Sequence, residues 1–436
     1  MTVMQSYCAR PASTVHGRVR VPGDKSISHR SIMLGGIASG RTEVTGFLAS
    51  ADCLATLEAF RSMGVQVDRH DETSLTVHGR GLHGLRAAGR VLDMGNAGTA
   101  IRLSIGLLAG QRFESTLTGD ASLRSRPMER VAKPLRAMGA NILTTDGKPP
   151  VTVSPAAGLH GIDYVLPVAS AQVKSAILLA GLYAEGETIV TEPAPTRDHT
   201  ERMLRGFGLR VDTEGPRVRL TGGQQLQGTR VEVPGDISSA AFFLVAGCLA
   251  GVDGFVVENV GINPTRTGVI DILRLMGADL RLHERPAQGG EPVADIELRR
   301  STLRGIAVPE SLVPLAIDEL PVLFIAAAAA QGDTVFSGAA ELRVKESDRL
   351  AVMAEGLTTL GVENQLAPDG IRIQGGRRLQ GGEIQSHGDH RIAMSFTIAS
   401  LIADAPIQVR DTENVATSFP GFVAMARSCG LDVTAE

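Results

Sequence analysis

The chain has no Trp and only three Tyr among its 436 residues, and aromatics make up 3% of it. Single-stranded nucleic-acid binders need stacking platforms, so this scarcity argues against that class. Cysteine is also sparse. Cys8, Cys53, Cys248 and Cys429 are scattered without metal-ligand spacing, which excludes a zinc cluster and suits a reducing cytoplasm. The apolar run around 322–330 is too short to span a bilayer, and it directly follows Asp318 and Glu319. Met1–Arg10 lacks the apolar core of a signal peptide. A net charge of −4 offers no global attraction for polyanions. No GxxxxGK[ST] phosphate loop is present. These absences leave a cytoplasmic protein with no nucleic-acid or membrane partner, whose anion site, if any, is local. The length favours two domains.

What is present is a sixfold repeat. A short strand ends in a polar Gly/Pro/Asp/Ser turn, a small-residue apolar helix follows, and another strand closes the unit. The copies begin at Val19, Val91, Tyr164, Val231, Ser311 and Glu383. Their spacing of roughly 70 residues exceeds solenoid periods, so each is a supersecondary unit. The string VPGD occurs at Val21–Asp24 and again at Val233–Asp236, which suggests two halves of three units. Amphipathic helices are predicted over 52–63, 128–138, 200–207, 268–276 and 347–360, each followed by a short alternating strand such as SLTVHG or VRLTGG. One domain is then 24–234, and the other joins 1–23 to 235–436. The small-residue helix bodies are packing devices.

Their first turns are less ordinary. A helix N-terminus carries partial positive charge and disfavours Lys and Arg. Yet Lys25 and Arg30 open the first helix, Lys174 lies early in the third, Arg126 and Arg197 precede two others, Lys345 and Arg349 flank a further start, and Arg391 opens the sixth-copy helix. One such residue is a solvated cation. Seven or eight at equivalent points argue for anions bound at helix termini. Three carboxylates lie among them. Asp318 could be a helix N-cap, Glu319 adjoins it, and Glu346 suits a first turn. Together, carboxylates beside cations suggest proton transfer on a phosphorylated substrate.

The strings GDKSISHR, GNAGTAIR, GDASLRSRPM, SAQVKSA, TRDHTE, NPTR, AIDELP, RVKESDR and GDHRIAM, in this order and spacing, resemble the enolpyruvyl transferase family over essentially the whole chain. Within it they are most similar to the members acting on shikimate 3-phosphate. The resemblance implies an α/β protein of two domains, an inside-out α/β barrel of six βαβαββ repeats, three per domain, with helix N-termini facing a cleft. It implies a monomeric transferase of the shikimate pathway, supplying chorismate for aromatic amino-acid biosynthesis. The half 24–234 would bind shikimate 3-phosphate and the other half would carry the catalytic carboxylates. The 5-hydroxyl of shikimate 3-phosphate adds to phosphoenolpyruvate, and phosphate then leaves a tetrahedral adduct.

Carried over by position, Glu346 matches the carboxylate near the methylene and Asp318 the group at the 5-hydroxyl. Lys25 is the cationic partner, and His390 lies near the leaving phosphate. Lys25, Asn96, Gly98, Arg126, Gln172, Lys345, Arg349 and Arg391 would hold phosphoenolpyruvate. Lys25, Ser26, Arg30, Ser170, Ala171, Gln172, Arg197, Asp318 and Lys345 would hold shikimate 3-phosphate. No metal or organic cofactor is implied. Thr417 stands where many members have Lys, and Leu103 where forms sensitive to glyphosate usually have Pro. The strings RDHTE, GDK, SAQVK and NPTR match a second, often glyphosate-tolerant class and, with Leu103, point to tolerance, whereas Gly98 points to sensitivity. A sister enzyme acting on UDP-N-acetylglucosamine carries a reactive Cys on a loop; Gly119–Arg130 here has none. A non-catalytic anion binder or an RNA-processing relative of similar repeats is the remaining alternative, and both Asp318 and Glu346 speak against a dead binder.

Overall fold

The computed structural model describes residues 5–436 as a mixed α/β protein that divides into two compact units. One comprises 23–233 with 287–291; the other comprises the described residues up to Pro22, 234–286 and 292–436. The chain changes unit after Pro22 and again after Val233, inside the two VPGD strings.

The first unit holds three four-stranded sheets of one pattern. In each, two parallel strands are followed by two antiparallel ones. The orders are Arg230–Glu232, Arg41–Thr45, Leu75–His78, Gln66–Arg69; then Leu92–Asp93, Ser115–Thr118, Lys148–Ser154, Asn141–Thr145; then Asp163–Val165, Glu187–Thr191, Arg217–Thr221, Val211–Glu214. The helices Gly98–Leu108 and Ala171–Gly181 make the parallel crossovers, which a parallel pair requires. The helix Lys25–Ile37 has no such strand from its own neighbourhood. Its sheet takes Arg230–Glu232 from the far end of the unit, pairing Glu232 with Thr45. The strand that does precede it, Arg18–Val19, pairs with Phe255–Gly261 in the other unit, Val19 opposite Val257.

The second unit repeats the pattern with losses. Two sheets are complete; in one the strands 279–288, 291–299, Phe255–Gly261 and Arg18–Val19 lie in order, and in the other Gly382–Gln385, Ile407–Arg410, Tyr7–Arg10 and Asp432–Ala435 do. The remaining sheet has three strands, Gly332–Phe336, Gly370–Gly375 and Asn364–Ala367. The strand expected at the start of the fifth copy, near Ser311–Val313, is absent, and Glu310–Leu312 is a single 3-10 turn. Pro309 and Pro314 flank that segment, and proline cannot donate to a sheet ladder. Isolated bridges from Arg304 to Gln331 and from Ala307 to Val335 take the strand's place. The last sheet closes with Tyr7–Arg10 between Ile407–Arg410 and Asp432–Ala435.

Inside each unit the small-residue helices pack against one another. Every residue of Ile237–Ala250 is buried, as expected of a helix apolar on all sides. The helices Gly98–Leu108 and Ala171–Gly181 meet at backbone distance: a Cβ on Gly106 would stand 2.2 Å from the Ala176 carbonyl oxygen. The amphipathic helices appear at Ala51–Ser62, Glu129–Ala137, His199–Gly206, Gly268–Leu275 and Arg349–Thr359. Among the described residues no helix is long and apolar enough to cross a membrane, and no group of three or more His, Cys, Asp or Glu could hold a metal ion.

Candidate active site

In the first unit, polar side chains cap two of the three apolar helices, Lys25–Ile37 and Ala171–Gly181. The Asp24 carboxylate accepts the Ile27 N–H at 2.9 Å, so helix Lys25–Ile37 starts at Lys25. The Lys25 ammonium pairs with Asp52, a buried residue of the first turn of Ala51–Ser62. Ser26 follows, half-buried. Arg30 lies in the second turn and is buried, with protein groups engaging part of its guanidinium. Nε donates to Thr200 Oγ1 at 2.7 Å, Nη2 to Ser175 Oγ at 3.0 Å and Nη1 to the Ser26 carbonyl at 3.0 Å. Burial lowers its pKa to about 10, with Glu201 opposing and Arg197 adding to the fall. Arg197 therefore stands near Arg30; it is itself half-buried.

Gly98 opens its helix with no side-chain cap. Arg126 reaches this start. Its Nη2 donates to Asn96 Oδ1 at 2.5 Å and to Ser122 Oγ at 3.1 Å, while Asn96 Nδ2 donates to Asp120 at 2.7 Å. One turn on, Arg102 Nη1 donates to Gln172 Oε1 at 2.7 Å, and Gln172 Nε2 donates to Thr99 Oγ1 at 3.0 Å. An arginine can only donate, so it fixes which way the Gln172 amide points. Leu103 is fully buried in the helix core. Ser170 caps the helix Ala171–Gly181, accepting from Val173 N at 3.5 Å. Lys174, counted above among the cations near helix starts, is held by protein carboxylates instead: its side chain is 1% exposed and lies between Glu192 and Glu201.

In the second unit, carboxylates surround one guanidinium. Arg349 is 1% exposed. Its Nη1 meets Asp318 Oδ1 at 3.2 Å, Nη2 meets Glu346 Oε2 at 2.6 Å, and Nε meets Asp389 Oδ2 at 2.8 Å. Burial would lower its pKa, but the three carboxylates raise it further. Asp318 is not the helix cap. Glu319 holds that position before Leu320–Ala329, and the Asp318 carboxylate turns instead to Arg349 and to Lys345 Nζ at 3.5 Å. Arg391 Nη1 donates to the Asp318 carbonyl at 3.0 Å. His390, buried, opens the helix His390–Ala399. Glu319 accepts from Ser238 Oγ beside Arg266 and Asp236, and its Oε1 lies 4.0 Å from Arg391 Nη1.

Asp389 is the residue that sequence reasoning passed over. It caps the His390 helix, accepting Arg391 N at 2.9 Å, and also receives Ser347 Oγ at 3.0 Å and Arg349 Nε at 2.8 Å. Burial opposes its ionisation, but the Arg349 charge outweighs burial and holds the carboxyl below its usual range. The signal was an Asp directly before an apolar helix in GDHRIAM, the pattern of an N-cap. Asp52 and Arg102 were missed likewise. Thr417 donates to the Asn414 carbonyl at 2.6 Å. Cys53 packs beneath the Lys25 helix. Burial pushes its thiol up to about 12, which makes it a poor nucleophile.

Three comparisons bear on this arrangement. The family described as EPSP synthase (3-phosphoshikimate 1-carboxyvinyltransferase) matches residues 9–425. A 3-phosphoshikimate 1-carboxyvinyltransferase of Alkalilimnicola ehrlichii is 61% identical over 98% of this chain and 96% of its own. One of Methylococcus capsulatus is 59% identical over 98% of each. A solved EPSP synthase of Acinetobacter baumannii superposes with a TM-score of 0.89 at 57% identity, covering 99% of this chain and 100% of that one.

Proposed function

The chain belongs to the EPSP synthase (3-phosphoshikimate 1-carboxyvinyltransferase) family, and we propose that it transfers the enolpyruvyl group of phosphoenolpyruvate to the 5-hydroxyl of shikimate 3-phosphate, releasing phosphate. The observation that carries this reading is the attachment of Asp318 and Glu346 to one buried guanidinium, at 3.2 and 2.6 Å from Arg349. Two carboxylates locked on a common anchor suit a reaction with two proton movements. Asp318 takes the proton of the attacking hydroxyl as its oxygen bonds the central carbon of phosphoenolpyruvate. Near Glu346 the methylene carbon gains a proton and becomes a methyl group. In the second step the carbon–oxygen bond to phosphate breaks, that methyl group gives its proton back, and the double bond re-forms. Lys25 and His390 steady the charge at the reacting centre and on the departing phosphate.

Lys25, Arg126, Lys345, Arg349 and Arg391, with Asn96, Gln172 and the backbone of Gly98, hold phosphoenolpyruvate. Ser26, Arg30, Ser170, Ala171, Gln172 and Arg197, with Lys25, Asp318 and Lys345, hold shikimate 3-phosphate. The unit of residues 23–233 is thus the shikimate 3-phosphate half, and the other carries the carboxylates. Bringing two anions together is costly in water, and preorganised cations lower that cost where charge develops. Arg349 also fixes Asp318 and Glu346, which with Asp389 engage its N–H groups. The threefold recurrence of one sheet pattern supports reading each unit as three βαβαββ repeats of an inside-out α/β barrel. A monomer is the working form in this reading.

The test is phosphate release from phosphoenolpyruvate. Release that requires shikimate 3-phosphate is expected. Turnover with UDP-N-acetylglucosamine and none with shikimate 3-phosphate would overturn the assignment.

A further inference from the structure

Lys174 is the fourth residue of the helix Ala171–Gly181, and its ammonium is removed from solvent. Nζ lies 2.9 Å from Glu192 Oε2 and 2.7 Å from Glu201 Oε1, with side-chain exposures of 1%, 9% and 2% for the three residues. The two carboxylates bracket one segment. Glu192 directly follows the strand Glu187–Thr191, and Glu201 lies in the first turn of the helix His199–Gly206. The stretch from Pro193 to Asp198 has no helix or strand, and it carries Arg197. Inside it, the Thr196 hydroxyl donates to Glu192, so the carboxylate that reaches Lys174 also gathers the residue next to Arg197.

Lys174 lies between Glu192 and Glu201, and Glu201 with Asp24 and Glu291 also acts on Arg30. The residues beside them interlock: Thr200 Oγ1 donates to Ser175 Oγ at 2.7 Å, and both hydroxyls receive Arg30. Arg197 is half-buried rather than enclosed. Burial pushes the Glu192 carboxyl up. Burial would lower Lys174, but its two carboxylates outweigh burial and hold it above the ordinary ammonium range. A buried ion cluster of this kind adds little stability over apolar side chains of the same volume. What it does supply is a fixed geometry.

We propose that Lys174 is a positioning residue that clasps both ends of the 192–201 segment and thereby holds Arg197 where it meets the phosphate of the substrate. This rests on the reading of Arg197 as a ligand of shikimate 3-phosphate. The clasp acts on one substrate only, because no residue assigned to phosphoenolpyruvate alone lies on this segment.

The experiment is steady-state kinetics with each substrate varied, together with limited trypsin digestion after Arg197. In Lys174→Met the KM for shikimate 3-phosphate should rise about tenfold or more, on the scale of one lost charge-assisted contact. The KM for phosphoenolpyruvate and kcat should change little, and cleavage after Arg197 should accelerate. Lys174→Met alone strands two buried carboxylates. The combined variant K174M/E192Q/E201Q removes all three charges and should fold while showing the same selective rise. Lys174→Arg should restore most of the affinity. A folded triple variant with the wild-type KM for shikimate 3-phosphate overturns the clasp. Equal loss for both substrates does so too, because it marks a general structural role. Arg197→Ala separates the two ideas. If it raises that KM while the triple variant does not, the clasp is wrong; if it leaves the KM unchanged, the reading of Arg197 is wrong and the clasp falls with it.

Discussion

A Cβ placed on Gly98 would stand 3.0 Å from Nη1 of Arg126, and equally close to Nη1 of Arg102. The space in front of this helix start is therefore filled by the ends of two guanidinium groups. Such ends can yield by a few tenths of an ångström, so an added methyl displaces them without disturbing the core.

Gly98→Ala should leave thermal stability nearly unchanged and act on anion binding through Arg126. We expect the KM for phosphoenolpyruvate to rise by less than about tenfold, a fraction of one charge-assisted hydrogen bond. Glyphosate, the longer anion, should lose more, so its inhibition constant should rise by a larger factor than the KM. The unsubstituted enzyme should be partly tolerant, in keeping with Leu103 and the second-class strings. Inhibition assays on both proteins check this. Equal inhibition would mean that the 96–102 segment does not approach the inhibitor.

Asp318 and Glu346 should matter to rate and little to folding. Asp318→Ala or Glu346→Gln should each slow turnover by roughly 10² or more, the scale of a positioned acid or base. Either change leaves Arg349 two carboxylate partners, so its buried charge stays compensated. Single-turnover rates and melting curves should separate accordingly. Turnover near wild type in either variant contradicts the role given to that residue.

The contrast between Arg126 and Lys174 shows what could be read without coordinates. Both are cations near a helix start, and composition and spacing treat them alike. Arg126 reaches Asn96 at the opening of the Gly98 helix. Lys174 is enclosed because its carboxylates arrive from Glu192 and Glu201, and no local pattern announces a pairing made by tertiary packing. The helices were legible for the opposite reason. Asp24, Ser170, Asp236 and Asp389 cap apolar runs, and capping is a local signal. The placement of Arg18–Val19 could be inferred because VPGD recurs. The missing strand at 311–313 could not, because its prolines interrupt a segment whose apolar residues still read as a buried strand.

Asp389→Asn should destabilise the protein most at neutral pH. The carboxylate is fully buried against Arg349 and held below its usual range. A depressed pKa stabilises the fold above the ordinary carboxyl value of about 4, and that contribution is lost as pH falls through the lower folded value. Breaking such a buried pair costs about 3 kcal/mol, the lower end of the usual range, since Asp318 and Glu346 still face Arg349. The stability gap from wild type, read by denaturant titration, should be widest near pH 7 and narrow below pH ~4. A gap independent of pH would show that Asp389 contributes as a cap alone.

His29 should make the fold acid-sensitive in a higher window. Its ring is fully buried, with Nδ1 2.8 Å from Thr56 Oγ1, and Nε2 meets no partner. Burial first, then the charges of Lys25 and Arg30, hold its pKa well below the ordinary value. A proton added at Nε2 would create an N–H with no acceptor. The unfolded chain accepts a proton near pH ~6.5 while the native state resists it. Stability is therefore complete above that value and declines as pH falls toward the folded pKa, by up to about 1.4 kcal/mol per pH unit. His29→Asn can keep the contact to Thr56 through its side-chain amide and cannot take up the proton. It should cost some stability at pH 7 but flatten the decline from pH ~6.5 to ~5. Denaturant titrations of both proteins across that range decide it. Parallel curves would show that the native state accommodates a charged His29 and that the decline has another source.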